Sequence, residues 1–123
     1  MQKLAQVLAR IVGLKRDGLP EEAEALLQKV LREDFDLNPA DIQNLTLEQF
    51  TGLIRHQGYG PEKADLFSQF LFEWASPLKR DDAEKENLLR KVLALYDLLE
   101  TDFHRQSLEN LNRRTLIRNF LSS

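Results

Sequence analysis

The spacing of apolar residues along this chain is helical in every segment where a period can be recognised. Aliphatic residues recur three and four positions apart, which places them on one face of an amphipathic helix. The first such stripe consists of Leu4, Val7, Leu8, Ile11 and Val12. The pattern therefore predicts an all-α protein, and we expect five to six helices.

The stretch GLPEEAEALLQKVL, residues 18–31, predicts a turn followed by a second helix. Gly18 can adopt the left-handed conformation that closes a helix without a side-chain penalty. Pro20 suits the first helical position, where its missing N–H would have had no partner. The glutamates that follow place negative charge at the positive end of the helix dipole. We therefore expect a helical hairpin here.

Further boundaries can be read along the chain. Asn38 precedes a proline and Thr46 precedes a glutamine by three residues, so each marks a helix start. The segment Pro61–Ala75 is apolar around most of its circumference, which predicts a helix covered on several sides. A last helix lies between Asp102 and Leu121, and the pattern does not fix its start. No stretch resembles an interdomain linker, so we predict one domain spanning residues 1–123.

The hairpin segment resembles the turn and second helix of a tetratricopeptide repeat. That repeat has a turn glycine followed by small and large apolar residues at set spacings, and Gly18, Ala23, Leu27 and Val30 occupy those positions. The whole chain also resembles the small all-helical, tetratricopeptide-like proteins of uncharacterised function found in bacteria. The resemblance implies helical hairpins in a short stack or an irregular bundle. It implies no activity.

Residue types that carry catalysis or hold metal ions are sparse. The absence of cysteine excludes a thiolate zinc site and a cysteine nucleophile. The two histidines, His56 and His104, are far apart in the sequence, and neither belongs to a metal-binding or catalytic motif. No glycine-rich phosphate-binding loop occurs. We therefore expect no enzymatic activity, no metal and no cofactor.

The apolar runs of the chain are short. They reach only a few residues, whereas a membrane-spanning helix needs about 20, so no span is expected. Arg10 interrupts the apolar part of the N-terminal segment, which argues against a secretory signal. Together with the lack of cysteine, these features lead us to expect a cytoplasmic protein.

Formal charge is distributed unevenly along the chain. Residues 1–16 carry +4 and residues 103–123 carry +3, whereas residues 17–102 between them carry −10. Basic side chains near the C-terminus suggest contacts to an anionic surface or to nucleic acid. These candidates are Arg113, Arg114 and Arg118. Nucleic acid is the weaker alternative because the pI is about 5.4, and a solvated face or internal pairing with the acidic middle would also explain the arginines.

The aromatic segment FSQFLFEW, residues 67–74, offers candidate anchors for a protein partner. Either Phe72 or Trp74 would serve if it were exposed, although core packing explains most of the segment. Phe72 is the better candidate because it falls opposite the main apolar stripe. We therefore predict a non-catalytic protein-interaction or structural module with an unknown protein partner, or a homodimer that covers an apolar end. The alternative is an anionic-surface or nucleic-acid binder that uses the basic terminal helices.

Overall fold

The computed structural model describes residues 2–75 and 82–122, and these residues form seven α-helices and no β-strand. The helices are α1 (Gln2–Arg16), α2 (Pro20–Glu33), α3 (Pro39–Asn44), α4 (Leu47–Gln57), α5 (Pro61–Ala75), α6 (Asp82–Phe103) and α7 (Leu108–Leu121). The all-α prediction is confirmed. The predicted count of five to six is wrong, since the described residues form seven helices. The sequence indicated a last helix after α6, but the break between the two contains neither glycine nor proline to mark where that helix starts.

The predicted turn between α1 and α2 is confirmed. Gly18 has φ +80°, and the N–H of Leu19 donates to the carbonyl of Leu14 at 2.9 Å. Pro20 is the first residue of α2. The two helices pack against each other as a hairpin.

The starts of α3 and α4 follow from their capping residues. The side chain of Asn38 accepts a hydrogen bond from the N–H of Ala40 at 2.9 Å. At α4, Thr46 and Gln49 each accept a hydrogen bond from the other's backbone N–H, both at 3.1 Å, which completes a capping box. Gly58, with φ +68°, ends α4 in the left-handed conformation.

Helix α5 lies against α1, α2 and α6, as its nearly continuous apolar surface predicts. Five aromatic rings form the centre of the core around it, with centroids 5.1–6.2 Å apart. They are Phe35, Phe50, Tyr59, Phe67 and Phe70. Tyr59 is additionally fixed because its hydroxyl donates to the carbonyl of Phe35.

Helix α6 is the longest element and contacts α3, α4, α5 and α7. Its Lys91 side chain is fully buried, and Nζ donates to the carbonyls of Ile42 at 2.5 Å and Gln43 at 3.2 Å. These carbonyls belong to the last turn of α3, where a cation suits the helix dipole. Burial lowers the pKa of the Lys91 ammonium.

The chain leaves α6 through His104, whose φ of +51° breaks the helix, while the N–H of Arg105 donates to the carbonyl of Leu99 at 2.9 Å. Histidine is one of the few non-glycine residues that adopt this conformation with some frequency. Ser107 then starts α7, accepting a hydrogen bond from the N–H of Asn110 at 3.1 Å. The boundary that the sequence left open therefore lies at residues 104–107.

Candidate partner-binding groove

Helix α7 packs on α6 and buries little apolar surface. Ile117 is its only fully buried apolar residue, with Phe120 and Leu121 half-buried beside it. On its outer surface, Leu108 is 71% exposed and Leu116 is 61% exposed. Large apolar side chains on an otherwise polar helix surface are candidates for contacts with another molecule.

A groove of about 180 Å³ lies between the C-terminal half of α5, the first turns of α6 and the second half of α7. We call it the α7 groove. It is lined by Phe72, Lys85, Leu89, Leu116, Ile117 and Phe120. Three helices therefore contribute to one concave, mostly apolar surface, and the exposed Leu116 lies at its edge.

Two cations lie over the aromatic rings of this groove. Lys85 Nζ is 4.6 Å from the centroid of the Phe120 ring, and Arg113 Cζ is 5.7 Å from the centroid of the Phe72 ring. Both distances are within the range of cation–π attraction. Among the side chains that the structure describes, those of residues 3–75 and 83–122, no carboxylate forms an ion pair with either cation. The groove therefore combines apolar walls with positive charge.

The position of α7 is fixed by a buried carboxylate on α5. Asp65 is only 9% exposed. It accepts a hydrogen bond from Arg105 Nε at 3.2 Å and another from Asn110 Nδ2 at 3.1 Å. Asn110 in turn accepts from Arg113 Nη1 at 3.2 Å. This chain of contacts orients Arg113 towards the ring of Phe72.

The three arginines proposed from the sequence lie in different environments. Arg114 is largely buried and pairs with Asp97 at 2.9 Å and Glu100 at 3.0 Å, both on α6. Arg113 faces α5, because successive residues on a helix differ in direction by about 100°. Arg118 is exposed. Of the three, only Arg113 lies over the ring of a residue that lines the α7 groove, namely Phe72.

Basic residues near both ends of the chain pair with acidic side chains of the same molecule. Lys15 Nζ lies 2.7 Å from Glu73 Oε1, and Arg105 pairs with Asp65. The basic terminal segments thus contact the acidic middle of the chain, which is the intramolecular explanation that the charge distribution allowed.

The two aromatic candidates on α5 differ in burial. Trp74 is 1% exposed, and its indole Nε1 donates to Glu24 Oε1 of α2 at 3.0 Å. It is a core residue, so the exposed anchor expected at this position is not found. Phe72 is half-buried and lines the α7 groove. The preference for Phe72 over Trp74 agrees with these positions.

Three other residues of the groove were missed by the sequence analysis. Leu116 and Phe120 are spaced as neighbours on one side of α7, but Leu108 and Leu111 point elsewhere, so no single apolar stripe is visible. Lys85 gave no signal, because a lysine on a helix is ordinarily a solvated residue. The Leu116–Phe120 spacing was the only hint available.

Two larger cavities adjoin the Gly58–Gly60 loop. One, of about 380 Å³, is lined mainly by apolar residues of α4 and α6. Its charged groups already pair with each other, since Arg55 Nε lies 3.0 Å from Asp102 Oδ2. The hydrogen bond from Arg55 lowers the pKa of Asp102. The other cavity, of about 360 Å³, is polar and carries an acidic rim beside Lys63.

A search of the described ranges finds no group of three His, Asp or Glu side chains placed to hold a metal ion. Both histidines are exposed. Within the same ranges, no helix has the length and apolar character required to cross a membrane.

Comparison with known proteins gives no further information on function. No protein-family model, no curated protein and no solved structure matches the chain. A proposal for its function therefore depends on the geometry of its own surface.

Proposed function

We propose that this protein is a non-catalytic interaction module that binds a protein partner at the α7 groove. The observation that carries the proposal is the 61% exposure of Leu116 at the edge of a concave surface whose walls are Phe72, Leu89 and Phe120. An exposed leucine alone is common, but Leu116 is continuous with the apolar walls of a groove, and contiguous apolar patches mark interaction sites. The α1–α2 and α5–α6 hairpins support a tetratricopeptide-like arrangement, which we keep as part of the proposal.

The size of the α7 groove favours a protein partner over a small molecule. Small-molecule sites usually enclose about 300–1,000 Å³, whereas this groove has about 180 Å³. A cavity of this size suits one large side chain of a partner, with Leu116 contacting the next. The 380 Å³ cavity is large enough for a small ligand. However, its Arg55–Asp102 pair and the Tyr59 hydroxyl are already hydrogen-bonded within the protein, which leaves few groups to orient a ligand.

A homodimer held by the α7 leucines alone is less well supported. The exposed fractions of the three leucines on α7 together correspond to about 1.7 leucine side chains. In a two-fold dimer both copies bury these leucines, so the burial contributes about 5–10 kcal/mol, which only matches the association cost of about 4–15 kcal/mol. The leucines are Leu108, Leu111 and Leu116. A stable complex must therefore use more surface than this helix face.

Binding to nucleic acid or another anionic surface is the second candidate, favoured by the exposed cations Arg10, Arg16 and Arg118. It is weaker because Lys15 and Arg114 pair with acidic side chains of the same molecule. This candidate requires binding that weakens steeply as salt is raised. Absence of oligonucleotide binding at low salt would remove it.

Site-directed photo-crosslinking tests the leading proposal. A photoreactive phenylalanine analogue at Leu116 should give a discrete heteromeric adduct in the native cell, and Phe72→Ala should abolish that adduct. The control is the same analogue at Leu47, which is 42% exposed on α4 and does not line the groove. If both positions give the same pattern, the groove is not the binding surface.

A further inference from the structure

We propose that the α7 groove binds an acidic amphipathic helix of another protein. Such a segment would present one large apolar side chain to the groove and one or two carboxylates to Lys85 and Arg113. This inference rests on the proposed function and adds the chemistry of the partner.

No carboxylate side chain that the structure describes pairs with the positive charge at the groove. None of the six lining residues is acidic. Glu109 precedes Arg113 by one helical turn, yet no ion pair joins them, and Glu86 next to Lys85 pairs with Arg90 at 2.7 Å. The described carboxylates near the groove therefore leave both cations available to a partner.

The two cations differ from the other basic residues in their environment. Lys15, Arg105 and Arg114 each contact a carboxylate of the same molecule. Lys85 and Arg113 instead lie over Phe120 and Phe72 in weaker cation–π contacts, and Arg113 also donates a hydrogen bond to the uncharged Asn110 at 3.2 Å. Because Lys85 and Arg113 are positioned by the walls of the groove, a carboxylate that approaches them finds them already oriented. Charge-assisted hydrogen bonds to such preorganised groups favour binding.

The net charge of the chain sharpens this preference. At −3, the whole protein repels an acidic partner at long range. An acidic segment gains electrostatic attraction only close to positive groups such as Lys85. Its carboxylates must therefore lie next to the apolar side chain that enters the groove. Complementary charge at the rim of an interface gives mainly specificity, while the apolar contact supplies most of the affinity.

A helix is the partner conformation that matches this layout. The groove lies along α7, between α7 and the α5–α6 hairpin, and its apolar residue Leu116 is followed one turn later by Phe120. An amphipathic helix presents anchors at the same three- and four-residue spacing. One fully buried anchor corresponds to about 10- to 100-fold in affinity. One exposed ion pair corresponds to at most about five-fold.

The test uses a displayed library of amphipathic peptides of about 16 residues, or roughly four helical turns. Leucine or phenylalanine is fixed at helical spacing, and the flanking positions vary among Glu, Gln and Lys. The library is selected against the wild-type protein, and selected peptides are then measured against Leu116→Asp, Lys85→Glu and Arg113→Gln. Matched controls are Leu47→Asp for the apolar change and Arg10→Glu for the charge reversal, both exposed and outside the groove.

We expect selection to enrich Glu beside the anchors. Leu116→Asp should weaken the enriched peptides at least about 10-fold, and Lys85→Glu about 3- to 10-fold at low salt. The controls should change affinity less than about two-fold. Lys85 makes no hydrogen bond or ion pair with the described part of the chain, so Lys85→Glu remains informative if Arg113→Gln disturbs the contact to Asn110.

Three outcomes overturn the inference in different ways. Binders that depend on Leu116 but show no preference for Glu over Gln or Lys would refute the acidic partner and leave the proposed function standing. Failure to recover any binder sensitive to Leu116→Asp would refute both. Sedimentation of the protein alone is the third measurement, because a dimer lost in Leu116→Asp would identify a second copy as the occupant and exclude an acidic partner.

Discussion

Replacing Asp65 by alanine tests the claim that one buried carboxylate holds α7 in place. Asp65 accepts hydrogen bonds from Arg105 and Asn110, at 3.2 and 3.1 Å. A hydrogen bond to a charged group contributes about 1.5–3 kcal/mol. The Arg105 side chain is 40% exposed, so solvent screens its share. The Asn110 bond is buried, and its loss leaves a buried amide without an acceptor. We expect Asp65→Ala to reduce the free energy of unfolding by about 3 kcal/mol.

The measurement is urea unfolding followed by far-UV circular dichroism, with a double-mutant cycle to isolate the Asp65–Asn110 contact. Asp65→Asn is the matched control, because the amide keeps the shape and one acceptor oxygen, and it should lose about half as much stability. The cycle of Asp65→Ala with Asn110→Ala should give a coupling energy of about 1–2 kcal/mol. Hydrogen exchange should show the largest loss of protection in α7.

The reasoning would be refuted by a loss below about 1 kcal/mol for Asp65→Ala, which is the size of an ordinary surface substitution with some packing cost. A coupling energy near zero would also refute it, since the two side chains would then contribute independently. Uniform loss of protection across all helices would show that Asp65 stabilises the whole fold, with no particular effect on α7.

Two further predictions concern pH and backbone conformation. Burial raises the pKa of Tyr96 to about 12, above its unfolded value of about 10. The stability contribution is therefore intact below pH 10 and is lost as pH rises from 10 through 12, by up to about 3 kcal/mol. Tyr96→Phe should flatten the alkaline fall in the free energy of urea unfolding, and an unchanged slope would contradict this. Gly52→Ala, in the interior of α4 with open space around it, should stabilise by about 0.5–1 kcal/mol. Gly58→Ala, at φ +68°, should destabilise the protein by about 1 kcal/mol. If Gly52→Ala and Gly58→Ala shifted the urea midpoint in the same direction, the explanation from backbone conformation would be wrong.

Local signals accounted for most helix starts. Gly18, Asn38 and Thr46 each act through backbone contacts within a few residues, so the sequence alone is sufficient to place them. His104 ends α6 in a left-handed conformation that glycine or asparagine would have indicated more clearly. Neither glycine nor proline occurs at residues 104–107, so the sequence predicted a last helix without fixing where it starts.

The functional surface depends on contacts that are distant in sequence. Phe72 and Trp74 both lie on a helix that is apolar around most of its surface, and no periodicity distinguishes the exposed side from the covered one. Trp74 is buried where other helices pack on α5, and Glu24 of α2, 50 residues away, accepts its indole N–H. Phe72 lines a groove only because α7 packs beside α5. Such pairings cannot be derived from spacing along one chain segment.

The buried Lys91 has a consequence for the order of folding. Helix α3 has six residues, well below the length at which an isolated helix persists in water. The ammonium group that donates to the Ile42 carbonyl in its last turn belongs to Lys91 of α6, 49 residues later in the chain. During synthesis, α3 therefore has no lasting partner for these carbonyls until α6 has been made. We expect α3 amides to gain protection together with those of α6 in pulse-labelled refolding. Helix α3 would then become ordered only when α6 does, although it precedes α6 in the sequence.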